Sequence, residues 1–454
     1  FIIFGSFVSA LLELASIGSV IPLATLVFSD DIYSIKYFGD LIKDYELQEI
    51  YIFFGLFICS IFVLKTLFQS FLFYFQGLFT SKVYFDLSGK LYRKYIDSNF
   101  LSHMKENSAT KVQLVTNESN LAVQGFLKPV LTVITELLNL VGLSALLIFY
   151  DYKSFAFISL ILGLCFSISY LFTKRTLKEL GEKRAESEAQ RLKDVQQSLF
   201  GFKYIKLSNS SEYIKSLFDK SNSIIASVRA KEFFINQVVR PYLELFMILS
   251  LVALVFFSYT NGSKASEILI LLTLYLTATI RLLPAATRLM GSIQSLFFFS
   301  EVIERLHKSY SQKSLSSNVS SYKLNNDLRE NYIIFDFVSF SYDEKEPLFK
   351  ELNIKFKKNN FYGLVGESGS GKTTFINLLT GLLESQKGGI FHNGENILDL
   401  GRDWSSKIGY VPQDVYLIDD SIRKNVAFGI SDEQIDDEKV LNALDRANLS
   451  NFIK

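Results

Sequence analysis

The 454-residue chain has only two cysteines and a formal net charge of +1. Cys59 and Cys165 each lie inside an apolar run without a partner at metal or redox spacing. Neither a disulfide framework nor a zinc site is supported, and both thiols are expected as buried filler. Nearly cancelling charge leaves no bulk electrostatic footprint for nucleic acid, so no nucleic-acid partner is expected. Long apolar runs are missing after residue 300, where the composition is that of an ordinary soluble domain. No methionine or basic leader precedes the first apolar run, which opens at Phe1. That run is therefore expected to be a true span, in a chain lacking its natural start, and not a cleaved signal.

Hydrophobicity is abundant in the first part of the chain, and Phe alone contributes 43 residues. Six runs, at 2–28, 51–80, 121–150, 155–172, 241–259 and 268–299, have the length that a bilayer-crossing helix needs. The connecting segments 29–50, 151–154 and 260–267 hold few Lys or Arg, whereas 81–120 and 174–240 are basic, which places the former outside and the latter inside. Residues 173–197 have few helix breakers and many Lys, Glu, Arg, Ala and Leu, so the helices are expected to continue past the membrane surface. Short reversals are expected at 98–102 and 208–212, either as docking turns for a soluble domain or as plain solvated turns. The organisation expected is a membrane domain over 1–307, a Ser- and Asn-rich linker over 308–331 and a soluble α/β domain over 332–454.

The soluble part contains Gly366, Glu367, Ser368, Gly369, Ser370, Gly371, Lys372 and Thr373 in the order of a G-x-x-x-x-G-K-[ST] loop. A short apolar run at 361–365 reads as the strand before it, and 374–380 reads as the helix after it, the context this motif requires. Glycines let backbone amides turn toward phosphates, the helix N-terminus adds partial positive charge and Lys372 adds a full one. Thr373 offers a hydroxyl to Mg2+, and Thr374 is expected to support the cradle. Further strands are expected at 332–342, 352–356, 388–391 and 408–411. Tyr342, at the end of the first, is placed to stack on an adenine ring, with an ordinary surface tyrosine as the alternative. Gln413, presented just beyond Pro412, is placed to reach a metal or its water.

These residues together resemble the ATP-binding cassette exporters, in which six membrane helices precede a P-loop nucleotide-binding domain. The resemblance implies ATP and Mg2+ as cofactors, adenine stacking by Tyr342, phosphate binding by 366–374 and a Mg2+ contact by Gln413. It also implies a homodimer, an amphipathic substrate, contact with membrane lipid and a bacterial inner membrane with its nucleotide domain in the cytoplasm. The family's signature, Walker B Asp, catalytic Glu and switch His would follow the glutamine loop and do not occur before Lys454. No catalytic residue is therefore assigned, and the chain reads as a fragment of a translocase with both ends missing.

Within the apolar runs, Lys65, Arg281 and Arg288 are candidates for the substrate path, because ionisable residues in a membrane are costly. Arg281 and Arg288 share a helix face on either side of Pro284 and would suit a phosphate or pyrophosphate headgroup. The stretch 281–288 is similar to that of exporters that flip lipid-linked oligosaccharides, which makes a lipid-linked glycan the expected cargo. The other reading has the arginines paired with Glu136 or Glu244, holding the bundle together. Peptide or hydrophobic-drug export is an alternative cargo, and a non-hydrolysing nucleotide-binding membrane protein is the alternative of another class. The expected behaviour of this 454-residue chain is nucleotide binding without turnover, checked by phosphate release; turnover comparable to that of an intact family member would contradict it.

Overall fold

The computed structural model describes residues 1–19, 47–105, 107–260, 265–311, 332–343, 347–413 and 415–453. The chain divides into two compact units, Phe1–Ser316 and Ser317–Lys454.

The first unit is helical. Its elements are α1 (Ile2–Gly18), α2 (Leu47–Ile96), α3 (Phe100–Lys105), α4 (Ser108–Gln113), α5 (Lys128–Phe200), α6 (Phe202–Leu207), α7 (Ser211–Thr260), α8 (Ala265–Phe298) and α9 (Ser300–Ser311). Three helical stretches among the described residues, Tyr51–Ile96, Ser108–Ala145 and Ser211–Thr260, are long and apolar enough to cross a membrane, and Ile2–Ser16 is a shorter apolar helix. At 1.5 Å per residue the 50-residue α2 and α7 each run about 75 Å, well beyond a hydrocarbon core of about 30 Å. The expected helical extensions are thus present, and reversals at Asp97–Asn99 and Ser208–Ser210 join them to their neighbours.

Helical backbone runs through all 73 residues of α5. A straight helix would separate Glu118 from Arg184 by about 100 Å, yet their side chains lie 3.8 Å apart. Asn117 likewise donates to Glu188 at 3.4 Å, and Gly125 and Gly181 both abut the Phe298–Phe299 pair. These pairings are symmetric about Tyr152, so α5 folds back on itself where the sequence pattern expects the 151–154 connection. The reversal takes place without a coil segment between its two arms.

Charge burial ties the arms together. Arg184 donates to Glu188 at 2.8 Å, Arg229 reaches the other oxygen of Glu188 at 3.3 Å, and the Arg184 guanidinium lies over the Phe299 ring at 5.2 Å. An unpaired charge in this setting would be strongly destabilising, so acid and base are buried together. Two π-helical segments, Leu114–Glu118 and Ala122–Leu127, bring this stretch into α5. Ser295 donates to the Gly125 carbonyl at 2.8 Å, and a Cβ on Gly181 would lie 2.1 Å from the Phe298 carbonyl oxygen. Here glycine is required by backbone contact between helices.

Two sequence expectations need correction in this unit. Cys59 is exposed on α2 and is not buried filler; a membrane helix turns apolar side chains outward as readily as inward, so an apolar surrounding in sequence does not imply burial. The side chain of Cys165 lies outside the described residues. Helix α9 runs through Lys308 to Ser311, into the segment expected as linker. Lys94 explains its persistence, since the ammonium donates to the Ser309 and Tyr310 carbonyls at the helix end.

The second unit has an antiparallel four-stranded sheet of order β2-β1-β3-β4, formed by β1 (Tyr332–Phe340), β2 (Phe349–Lys357), β3 (Lys387–His392) and β4 (Glu395–Asn396). Ile334, Phe335, Val338 and Phe340 of β1 are buried, and a register shift between Phe335 and Val338 sets Phe337 at φ +49°; Ile334 lies on one face of the sheet and Phe335 on the other. Helix α10 (Lys372–Leu379) packs on this face through Phe375, whose ring stacks on Phe335 at 4.6 Å. The strands expected at 361–365 and 408–411 do not form. Neither segment is paired in the sheet, and Phe361, Val365 and Val411 are almost fully exposed. A strand is stabilised by neighbours on its edges, and no described strand lies beside either segment.

The Gly181 contact yields a direct test. Gly181→Ala should lower stability by about 1–3 kcal/mol because a backbone oxygen cannot rotate out of the way. Gly55, which faces open space in the interior of α2, supplies the control: Gly55→Ala should leave the unfolding temperature in detergent unchanged or raise it slightly, since Ala is the better helix former, and equal losses for the two would disprove the close-packing account.

Candidate functional site

The loop from Gly366 to Gly371 lies between the sheet and α10. Gly369 and Gly371 adopt φ +85° and +90°, conformations that side-chain-bearing residues rarely adopt. A Cβ on Gly366 would meet Ser370 Oγ at 2.7 Å, and one on Gly371 would approach Phe349 Cζ at 3.0 Å. The loop closes on itself through the Ser370 amide, which donates to the Glu367 carbonyl at 3.2 Å.

Gly371 caps α10 in the left-handed region and contributes no side-chain cap. The first helical hydrogen bond across the cap is that of the Phe375 amide to the Gly371 carbonyl, 2.8 Å. Among the described residues, the amides of Lys372, Thr373 and Thr374 donate to no backbone carbonyl outside the helix. They form an open cluster of donors at the positive end of the helix dipole. Lys372 Nζ arches over the loop to the carbonyls of Gly366 and Glu367, at 2.8 and 2.7 Å. A cation held over free amides fits the phosphates of a nucleotide. Thr373 is exposed beside the loop, where a phosphate-bound Mg2+ would need a hydroxyl, and Thr374 is buried.

Tyr342 is brought to the same place although it is 32 positions from Thr374: its hydroxyl lies 3.0 Å from Thr374 Oγ1. Its ring packs edge-on against Phe340 at 5.0 Å, which orients it at the end of β1. Gln413 is exposed and has no hydrogen bond to the loop among the described residues. Among those residues no group of three or more His, Cys, Asp or Glu could hold a metal. Trp404, which sequence reasoning passed over, donates from Nε1 to the Leu379 carbonyl at 3.1 Å and closes the far end of α10. Burial first and Lys407 second depress the His392 pKa, favouring the neutral imidazole at the end of β3 beside Trp404.

In the membrane unit the candidate cations are paired. Lys65 forms an ion pair with Glu13 and is buried. Arg288 donates from Nε and Nη2 to the two oxygens of Glu136, at 2.5 and 3.2 Å. Arg240, one turn away, takes Glu244 at 2.8 Å. Lys65 and Arg288 line one cavity, each beside its own carboxylate, and Arg288 with Glu136 is one of the pairings that the sequence offers as the other reading. The side chain of Arg281 lies outside the described residues.

Comparison with known families agrees with both halves of this architecture. The ABC transporter transmembrane region family matches residues 2–283, and the ABC transporter family matches residues 349–454. The chain belongs to the ABC transporters. It is an integral membrane protein of that family, with a helical membrane domain and part of a nucleotide-binding domain in one polypeptide. Similar proteins include an ATP-dependent lipid A-core flippase of Ralstonia nicotianae, 22% identical over 84% of this chain and 64% of its own length. An uncharacterized ABC transporter ATP-binding protein of Haemophilus influenzae is 35% identical over 28% of this chain and 20% of its own length. A putative multidrug export ATP-binding/permease protein of Staphylococcus aureus is 35% identical over 28% of this chain and 22% of its own length. The ABC transporter chain described here spans less than two thirds of the length of each of these relatives. A bacterial Atm1-family ABC exporter solved with ATP bound has the same fold, with a TM-score of 0.75 at 16% identity, covering 100% of this chain and 77% of that one.

Loop geometry predicts separable effects on nucleotide affinity. Lys372→Ala should weaken ATP binding by roughly 10- to 100-fold through loss of charge-assisted contacts. Gly371→Ala should weaken it by about tenfold through left-handed strain of about 1–2 kcal/mol. Titration with a fluorescent ATP analogue measures both, and wild-type affinity in Lys372→Ala would exclude the loop as the phosphate site.

Proposed function

We propose that this protein is the half-transporter of an ATP-driven exporter that moves an amphipathic substrate, a lipid-linked glycan, across a membrane by alternating access in a homodimer. The observation that carries the reading is the open amide cluster of α10 beneath Lys372, in a chain that also carries an apolar helical membrane domain. Tyr342 stacks on the adenine, residues 366–374 hold the phosphates, and Thr373 with Gln413 completes the Mg2+ shell. ATP supplies charge and, on closure, the energy that joins two nucleotide domains. The membrane domain uses six spans with inner extensions, in a bacterial inner membrane whose cytoplasmic side holds the ATP.

A lipid-linked cargo is supported by the cavity lined by Lys65, Arg288 and other polar side chains in an otherwise apolar domain, and by the likeness to lipid A-core flippases over 84% and 77% of this chain. Lys65, Arg281 and Arg288 line the path in this reading.

The test is translocation by the protein expressed from its natural gene and reconstituted in vesicles. A fluorescent lipid-linked oligosaccharide should become inaccessible to an outside quencher only with ATP, Lys372→Ala should abolish the movement, and Arg288→Gln should slow it several-fold. ATP-dependent movement of a peptide or apolar dye, with none of the glycolipid, would overturn the cargo assignment in favour of the other exporter classes.

A further inference from the structure

The membrane unit encloses a cavity of about 520 Å³ between α1, α2, the first arm of α5 and α8. That volume lies within the range of small-ligand sites. Two of its walls are polar stripes on apolar helices. On α2, Lys65, Gln69, Gln76 and Thr80 recur at spacings of three to four residues or their multiples, the period of one helix face. On α5, Thr132, Thr135, Glu136 and Asn139 do the same from across the cavity.

The chemistry of these walls is specific. Lys65 and Arg288 are committed to Glu13 and Glu136, so neither presents an unmatched positive charge. Gln69 and Gln76 are half-buried, and their amides have no hydrogen-bond partner among the described residues. Thr132 and Thr135 donate to carbonyls of their own helix, at 3.1 and 3.0 Å, and Thr135 Oγ1 also meets Ser6 Oγ at 3.0 Å, so Thr132 keeps the free acceptor lone pairs of the two. Asn139 donates to Glu136 at 3.4 Å, while its Oδ1 is buried without a partner. A buried acceptor in that state calls for a donor from a ligand or a water.

A phosphate at neutral pH supplies acceptors only. Here it would face Asn139 Oδ1, the Thr132 oxygen and two carboxylates, with Lys65 and Arg288 already paired to Glu13 and Glu136. A group with many hydroxyls supplies donor and acceptor together at each oxygen and satisfies all of these positions. Exposed Lys128, on the same wall, remains for an anion outside the enclosed part. We propose that this cavity binds the uncharged, polyhydroxylated part of the substrate, a saccharide, through Gln69, Gln76 and Asn139, and that it does not hold the phosphate. The assignment rests on the lipid-linked glycan reading and specifies which part of that molecule the cavity recognises.

The experiment uses the chain in lipid nanodiscs, titrated with two probes of matched acyl chains: a diglucosyl diacylglycerol and a phosphatidic acid. The glycolipid should bind more tightly than the phosphatidic acid. Gln69→Leu, Gln76→Leu and Asn139→Leu should each weaken the glycolipid by roughly tenfold, the loss expected for one buried hydrogen-bonding group, and leave phosphatidic acid unchanged. Asn139→Asp keeps the shape and the acceptor oxygen and should weaken the glycolipid less than Asn139→Leu does, which separates the hydrogen bond from a packing defect. ATP-analogue binding on the same samples reports folding and tests the nucleotide reading independently. Tighter binding of phosphatidic acid, or glycolipid affinity indifferent to all four substitutions, would overturn the saccharide assignment while leaving the nucleotide reading intact. Loss of nucleotide binding in the unsubstituted chain would do the reverse.

Discussion

In the membrane unit most buried charges lie beside their opposites, and this constraint organises the rest. Lys65 with Glu13 joins α1 to α2, Arg288 with Glu136 joins α8 to α5, and Arg184 with Glu118 joins the second arm of α5 to the π-helical segment Leu114–Glu118. Each pair links segments that are far apart in the chain, so the pairs act as register marks between helices whose apolar surfaces could slide over one another. Apolar packing alone is a weak discriminator in lipid, because lipid tails resemble Leu side chains. Removing one partner would leave an uncompensated buried charge, at a cost of about 3–5 kcal/mol. The same constraint defines the cavity. Once both cations are matched, the groups left to meet a ligand are neutral amides and hydroxyls.

The nucleotide loop obeys a different constraint, that of backbone donors kept unsatisfied until a ligand arrives. Glycines at positive φ turn the chain so that the first amides of α10 stay open, and Lys372 covers the loop from above. The helix itself must not move, or those donors would lose their aim. Phe335 stacks on Phe375 at one end, and Trp404 holds the Leu379 carbonyl at the other. Tyr342 then connects β1 to α10 through Thr374, so the sheet positions the ring and the loop together.

Motifs whose meaning is local were legible in the chain. The order of Gly366 to Thr373 implied the loop and the helix after it, because a glycine turn and a helix start depend on a few neighbouring residues. The extensions of α2 and α5 were legible for the same reason, as long stretches without breakers. Strands at 361–365 and 408–411 were misread, since alternation and apolarity report a strand's wish for neighbours and not their presence. Cys59 was misread because burial in a bilayer-crossing helix depends on which face meets protein. Trp404, Gln69, Gln76 and Asn139 escaped notice for want of a motif, although the three- and four-residue spacing of polar residues inside apolar runs was a usable signal for the last three.

The sequence by itself determined that this is a membrane protein with a G-x-x-x-x-G-K-[ST] loop, because hydropathy and loop chemistry are properties of the chain order. Tertiary structure alone decided which acid meets which base, where α5 turns back, that Gly181 must admit the Phe298 backbone, and that Lys65 and Arg288 share a cavity without sharing a free positive charge. Those outcomes depend on distances between helices. Such distances are set by how side chains on several faces pack at once, which no single stretch of residues specifies.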